Sequence, residues 1–533
     1  MNGPVAGQSG GSAAPGDPRA ERWLVLGIFA TLFASYAYFY QGGGWQENSR
    51  MDLVRAMVED HTLNIDRFHH NTGDKAKFAG HFYSDKAPGL SIVALPAYAL
   101  FRAFAGSSLG EHTFLIVASY VTTVLTVGVA GALLGALLFS LTRQLGASRR
   151  GATIAAFGLG LGSTAFPFST MFFGHQLTAL LLFSSFFLLF RCRERYSDAA
   201  SAGAGVLGAA AILTEFPSLP VVLLLGVYHA SKELRLRRVL TFAGGALGPA
   251  LLLGVYLAVA FGGPFKVGYG FLADAGARAE MLDRGVFGLT FPQLARTVEL
   301  LIGRFRGLLP YSPILLLAAI GFLGAYGAIR RYRERGPEEA NESPLVDPRF
   351  ARELNLAAAV CVYYVLFVSS YQWWQGGSSF GSRHLVPMLP FLALPLGWAA
   401  DWRPKSSAGL LLVSIAVMTV VTSVQPKPAD TLTNPFWRSI APYFVRGEIA
   451  VNNICPLYGR ISGPKHEPIL RTSTHDAFNL GMVMGGRGKK SLLPLIALWV
   501  ACAYSFWRAT SERSDQPSSG ATPVRADPAR RPT

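Results

Sequence analysis

Apolar stretches of about 18 to 25 residues recur from Trp23 to Trp507. Each is long enough to cross roughly 30 Å of hydrocarbon as a helix, and nothing else in the chain restricts its fold so strongly. Helices satisfy their own backbone in lipid, so the fold class expected is an all-α polytopic membrane protein. Hydrophobic residues make up 51% of the 533 and charged residues 15%, a balance more apolar than a water-soluble core of this size requires.

The first stretch, WLVLGIFATLFASYAYFY, lacks a short apolar region ending at a small-residue cleavage site, so it reads as an uncleaved anchor. Residues 1–21 and 508–533 are polar and low in aromatics and read as disordered cytoplasmic tails flanking a transmembrane domain over 22–507. A formal charge of +16 would suggest nucleic acid in a soluble chain; here membrane topology accounts for it, and no nucleic-acid partner is expected. The four cysteines, at 192, 361, 455 and 502, are scattered and form neither a disulfide framework nor a CxxC pair.

Cytoplasmic loops retain Lys and Arg. The basic loops are RQLGASRR (143–150), RCRER (191–195), KELRLRR (232–238), RRYRER (330–335), DWRPK (401–405) and the stretch after Trp507. Placing them all on the side of the N-terminal tail gives about twelve transmembrane helices, near 22–40, 114–141, 151–170, 174–190, 199–214, 217–231, 239–262, 307–329, 353–371, 385–400, 407–424 and 490–507. The apolar run at 91–106, with Pro96 and Arg102, is then interfacial or re-entrant; one extra crossing is the alternative. Both termini fall in the cytoplasm of a cell inner membrane. The opposite face carries a long first loop (41–113) with interfacial helices, a middle loop (263–306), a short loop (372–384) and a late loop (425–489).

Unusual polar residues gather on that face. In QENSRMDLVRAMVED, Asn48 or Ser49 suits a helix N-cap, Asp52 the first turn, and Met51, Val54, Met57 and Val58 recur at helical spacing, which predicts a short surface helix with Glu47 just ahead of it. Asp66, His69, His70, Asp74, Lys75 and His81 follow, in a spacing that matches no standard metal-ligand pattern, so no metal ligand is assigned. In HFYSDKAPG, the turn at Ala87-Pro88-Gly89 sets Asp85 and Lys86 at the membrane boundary, where lysine either snorkels to the interface or meets a ligand. In SSYQWWQGGSSFGSRHLVPMLP, Trp373 and Trp374 suit an interfacial belt, while Gly376, Gly377 and Gly381 permit tight turns. Arg383 and His384 then begin a helix, where an arginine opposes the dipole unless an anion is near. Arg304 and Arg306 precede another helix, either as lipid-headgroup contacts or as anion ligands. His175 and Glu215 also lie at helix ends on this face. The run GLGLGS (158–163) falls within an apolar helix, where small residues favour close packing.

This layout resembles the GT-C class of polytopic glycosyltransferases, especially the relatives of aminoarabinose transferase and of the protein O-mannosyltransferases. The family's Asp-Glu-x-Arg-Tyr stretch after the first span is similar to Glu47-Asn48-Ser49-Arg50-Met51, which keeps the leading acid and the arginine and lacks the second acid and the tyrosine. The resemblance implies Glu47 as catalytic base, with Asp52 as the substitute. The family's Lys-Pro stretch resembles Lys86-Ala87-Pro88 and implies a donor-phosphate clamp, joined by Arg383 and by Arg304 or Arg306. A second family acid is replaced by His175, and Glu215 has no assigned role. Trp373, Trp374, Gln375, His175, His384 and Asp85 would line the sugar or acceptor pocket.

The function expected is transfer of a sugar from a polyprenyl phosphate to an extracytoplasmic acceptor by inverting displacement, with membrane lipids as further partners. The cofactor is unknown, with a divalent cation left open. An undecaprenyl-linked glycan polymerase or ligase, and a twelve-helix transporter, are the alternatives; a transporter predicts two similar halves and ionisable residues at mid-membrane.

Overall fold

The computed structural model describes residues 18–106, 108–231, 236–335, 348–451 and 477–511. The outer parts of both expected tails (1–17 and 512–533) and residues 452–476 of the expected late loop lie outside the described residues.

The principal helices are α1 (Pro18–Ala37), α2 (Trp45–Arg55), α3 (Gly89–Ala105), α4 (Glu111–Gln144), α5 (Arg149–Gly160), α6 (Gly174–Arg191), α7 (Asp198–Thr214), α8 (Leu219–Ala230), α9 (Leu236–Phe261), α10 (Leu315–Arg335), α11 (Ala351–Ser370), α12 (Leu396–Trp402), α13 (Pro404–Val424) and α14 (Leu493–Ser511). Ser148 starts α5 by accepting a hydrogen bond from the Gly151 amide at 3.0 Å, and Ser197 starts α7 in the same way. Helical structure stands at every expected span. Proline interrupts some of it: Pro313 lies just before α10, and Pro387, Pro390 and Pro395 accompany the 54° bend between Arg383–Ala393 and α12.

Among the described residues six helices are long and apolar enough to cross a membrane, or seven if the bent pair counts as one. Their outer faces stay apolar: Leu240, Leu247, Leu251, Val255 and Val259 of α9 are exposed, as lipid contact requires. The chain is therefore a multi-pass helical membrane protein. Small residues bring its helices together, since a Cβ on Gly205 of α7 would collide with the Phe242 carbonyl of α9, and one on Gly160 would meet Leu32 at 2.6 Å.

Two ends of the bundle are distinct. Arg143 at the foot of α4 pairs with Glu21 of α1 at 2.7 Å, and the Ser148 amide donates to Asp401 at 2.7 Å, so the basic loops at 143–150 and 401–405 meet. The α3 run turns back along the first half of α4 and does not extend toward those loops. Leu90, Ala94 and Tyr98 of α3 share a core cluster with Phe114, Ala118 and Val127 of α4, and Gly89 abuts Thr214 at the end of α7. Its outer face, with Val93, Leu100 and Phe104, is exposed.

Two small sheets complete the opposite end. Strand β1 (Phe39–Tyr40) pairs antiparallel with β4 (Phe478–Asn479), tying the chain after α1 to the segment before α14. Strands β2 (Lys75–Phe78) and β3 (His81–Ser84) form a hairpin with Phe78 opposite His81. Ala79 and Gly80 both adopt positive φ there, at 49° and 90°, as a two-residue turn of this hand demands.

Candidate functional site

Helix α2 is the frame of the site. Sequence periodicity predicts a surface helix, but α2 is enclosed: Gln46, Glu47, Asn48, Ser49, Arg50, Asp52 and Arg55 are all buried. It starts earlier than expected, with Gly44 as N-cap and Glu47 inside the first turn. Its polar groups find partners in the loop that follows, which is what encloses them. Asn48 Nδ2 donates to the Asn71 carbonyl at 2.8 Å, Ser49 meets Ser84 at 2.8 Å, and Arg50 Nη1 donates to the Ala87 carbonyl at 3.0 Å.

Arg50 also donates from Nη2 to Glu215 Oε1 at 2.6 Å, and His175 Nδ1 lies 3.5 Å from the same oxygen. Gly174 makes this possible, because a Cβ there would collide with Glu215 Oε1. Glu47 is buried and ion-paired with Lys427, whose Nζ stands 2.8 Å from its Oε1. Glu47 and Arg50 share one face of α2, whereas Asp52 lies about 140° round the helix from Glu47. Asp52 Oδ1 accepts from Asn71 Nδ2 at 3.1 Å and its Oδ2 has no partner among the described residues. Burial pushes its carboxyl up to about 8, against the pull of Arg55, the Asn71 hydrogen bond and Lys75.

Lys86 is held by two carboxylates, Asp74 at 2.9 Å and Asp85 at 3.0 Å, and its Nζ stands 5.8 Å from the centre of the Tyr269 ring. Burial works against the ammonium, yet Asp74 and Asp85 hold its pKa above the ordinary lysine value. The Asp85 carboxyl is itself raised, by burial foremost, and Asp74 adds to that while Lys86 opposes it.

Two cations with no ion pair among the described residues lie on the other wall. Arg306 is wholly buried; Nη2 donates to the Gly377 carbonyl at 2.6 Å, while Nε and Nη1 have no partner among the described residues. Burial and then the Arg383 charge press this guanidinium below its usual pKa, with Asp430 opposing. Arg383 is half-buried, rests over the Phe173 ring at 5.4 Å, and has a buried Nε without a partner among the described residues. Its charge is felt at Lys86, His175, His384 and Arg306, which places all five in one cluster. The His175 and His384 rings meet edge to face at 5.4 Å, each with an Nε2 that has no partner among the described residues. Gly376 and Gly377 have φ of 72° and 64°, and a Cβ on Gly376 would press on Arg383 at 3.1 Å.

Other expected residues stand further out. Arg304 is exposed, and its backbone carbonyl, not its guanidinium, accepts the Tyr311 hydroxyl. Trp373 Nε1 donates to Glu280 at 3.3 Å, Trp374 packs edge to face on Phe305, and Gln375 Oε1 is buried without a partner among the described residues. His81 pairs with Asp66 at 2.6 Å, His69 stacks on Phe82, and no three His, Cys, Asp or Glu side chains among the described residues converge as metal ligands. A cavity of about 480 Å³ opens at the other end of the bundle, lined by Gln144, Phe190, Arg191, Glu194 and Arg195. Its charged side chains are exposed and reach water freely, so the buried cluster is the candidate site.

Two partnerships escape sequence reasoning, Arg50 with Glu215 and Glu47 with Lys427. The second had a signal: Lys427-Pro428 follows an apolar helix much as Lys86-Ala87-Pro88 precedes one.

These features define a class: a polytopic helical membrane protein with a buried, cation-rich site at one rim. No family model matches the chain, and no curated protein matches it. Among solved structures it is similar to the archaeal oligosaccharyltransferase AglB from Archaeoglobus fulgidus, in complex with an inhibitory peptide and a dolichol-phosphate, with a TM-score of 0.44 and 13% identity over 84% of this chain and 62% of that one. It is also similar to ArnT from Cupriavidus metallidurans bound to undecaprenyl phosphate, with a TM-score of 0.45 and 15% identity over 92% and 77% of the two chains. The apo state of ArnT gives a TM-score of 0.45 and 15% identity over 92% and 76%. The chain thus spans less than two thirds of the AglB chain. At these values the likeness is one of outline, and no residue role is taken from it.

Proposed function

We propose that the protein is a membrane glycosyltransferase that moves a sugar from a polyprenyl-phosphate donor to an acceptor at the extracytoplasmic rim. The observation that carries this reading is the pair of cations without carboxylate partners among the described residues, Arg306 and Arg383, in a wall of turning glycine backbone. A guanidinium buried with two unpartnered nitrogens is costly unless a bound anion completes it, and a phosphate carries oxygens in the geometry arginine grips. Lys86, balanced by Asp74 and Asp85, sits beside this pair as a third donor.

In the reaction the acceptor oxygen attacks the anomeric carbon opposite the phosphate. The bond from that carbon to the phosphate oxygen breaks, its electron pair leaves with the phosphate, and the arginines take up the developing charge. The acceptor's proton passes to the Glu47 carboxylate, a base contribution typically worth about 10² to 10⁴ in rate. His175, His384 and Asp85 form the inner sugar and acceptor wall, with Trp373, Trp374 and Gln375 at its outer edge. Asp52, on another face of α2, is the reserve base, and Arg304 the outer phosphate contact. The domain spans 22–507 with both termini cytoplasmic.

Undecaprenyl phosphate binding to the detergent-purified protein tests the reading. Arg306→Gln and Arg383→Gln should each weaken it at least about tenfold, the value of a charged hydrogen bond. Binding equal to the parent in both variants rejects the donor class.

A further inference from the structure

We infer that Lys427 is the positioning residue that aims Glu47, so that the proton acceptor is assembled jointly by the first and the late segments of the chain. The inference rests on the reading of Glu47 as proton acceptor. A lysine ammonium has three N–H donors, and here all three are used. Nζ donates to Glu47 Oε1 at 2.8 Å, to the Gly43 carbonyl at 2.8 Å and to the Gly42 carbonyl at 3.2 Å. The side chain is 2% exposed, so the three bonds are shielded from competing water.

The consequence is an asymmetric carboxylate. Oε1 is fixed by Lys427, while Oε2 makes no hydrogen bond among the described residues and lies over the bare Cα of Gly44, where an added Cβ would come within 2.5 Å. One oxygen is anchored and the other is offered, the arrangement in which a base is oriented by a further group. The residues just before Lys427 also tie this segment to the one that carries Arg383. Pro426 accepts a hydrogen bond from the Phe380 amide at 2.9 Å, in the turn that leads to Arg383, and Gln425 bonds Ser439 at 2.9 Å. A shift of the late segment therefore moves the acceptor of the proton relative to the holder of the leaving group.

The test uses native membrane extract as the source of both the lipid-linked sugar and its acceptor, with release of polyprenyl phosphate as readout, and binding of undecaprenyl phosphate as the control for folding. Lys427→Met should lower kcat by about 10²-fold, the scale of an ångström-level misplacement, with undecaprenyl phosphate binding kept. Lys427→Arg, which keeps the charge and the donors, should recover at least about a tenth of the parent rate. A Lys427→Met enzyme within about threefold of the parent overturns the inference, as does a folded Lys427→Arg enzyme no faster than the Met variant. Should Lys427→Met not fold, Gly44→Ala decides, since its methyl would meet Oε2 at 2.5 Å and press on Oε1 at 3.2 Å, displacing the carboxylate from Lys427; an unchanged kcat there also overturns it. Glu47→Gln, run alongside, separates the two readings. If it keeps turnover, the base assignment itself falls; if it is inert while Lys427→Met is not, Lys427 alone is misassigned.

Discussion

The Arg50 guanidinium donates to the Glu215 carboxylate at 2.6 Å across a separation of 165 residues, joining the first turns after α1 to the end of α7. Arg50 has no exposed surface and Glu215 little, so the pair is shielded, and its remaining bond runs to the Ala87 carbonyl beside Lys86. Breaking one partner of such a pair leaves a buried charge. Arg50→Met or Glu215→Gln should each cost about 3–5 kcal/mol in a detergent unfolding assay, and the double variant less than the sum. Additive losses would show that the two residues act separately.

Arg306 should behave in the opposite way. Its guanidinium has two nitrogens without partners among the described residues, a strain that a binding site tolerates for the sake of its ligand. Arg306→Leu is expected to raise stability by about 0.5–2 kcal/mol while abolishing undecaprenyl phosphate binding. Thermal melting with and without the lipid reads both effects.

Asp52 gives the protein a pH dependence with a definite sign. Burial, against Arg55, Asn71 and Lys75, raises its carboxyl to about 8, so the folded protein keeps a proton that the unfolded chain loses near its ordinary value of 3.8. The stability contributed by the neutral form is complete below that value and falls as pH rises toward about 8. Asp52→Asn should flatten this slope. A melting temperature that declines with pH as steeply as in the parent contradicts the assignment.

The threading makes a prediction about access. Ser108 and Phe265 are exposed at the end of the bundle that carries the candidate site, and Trp402 at the end that carries the basic loops. Ser108→Cys and Phe265→Cys should react with an impermeant thiol reagent on intact cells, and Trp402→Cys should react only after permeabilisation. Labelling of Trp402→Cys from outside would reverse the orientation.

Lys86 should prove structural first and ligand-binding second. Lys86→Met leaves Asp74 and Asp85 facing each other in a buried place and should destabilise by about 3–5 kcal/mol, whereas adding Asp74→Asn should restore much of the loss. A single variant as stable as the parent would show that the ion triad does not hold the two ends of the β2–β3 hairpin together.

Hydropathy alone located the helices, because the length of an apolar run is a local property and lipid offers no other way to satisfy the backbone. The turns at Gly376 and Gly377 were legible for the same reason, since glycine marks positions where φ turns positive. Charge and proline also marked residues 47, 86 and 383 as unusual. Which of them are paired was not legible. Glu47 meets Lys427 across 380 residues, Lys86 meets Asp74 only because the hairpin folds back, and Arg306 stands without a carboxylate among the described residues for reasons of three-dimensional packing. Periodicity placed α2 at the surface because it counts apolar positions; the fold buried it because most of its polar side chains found partners in the loop that follows, just after α7 or beyond α13. Hydrogen-bond satisfaction is a property of three-dimensional neighbours, and that is what tertiary structure alone decides.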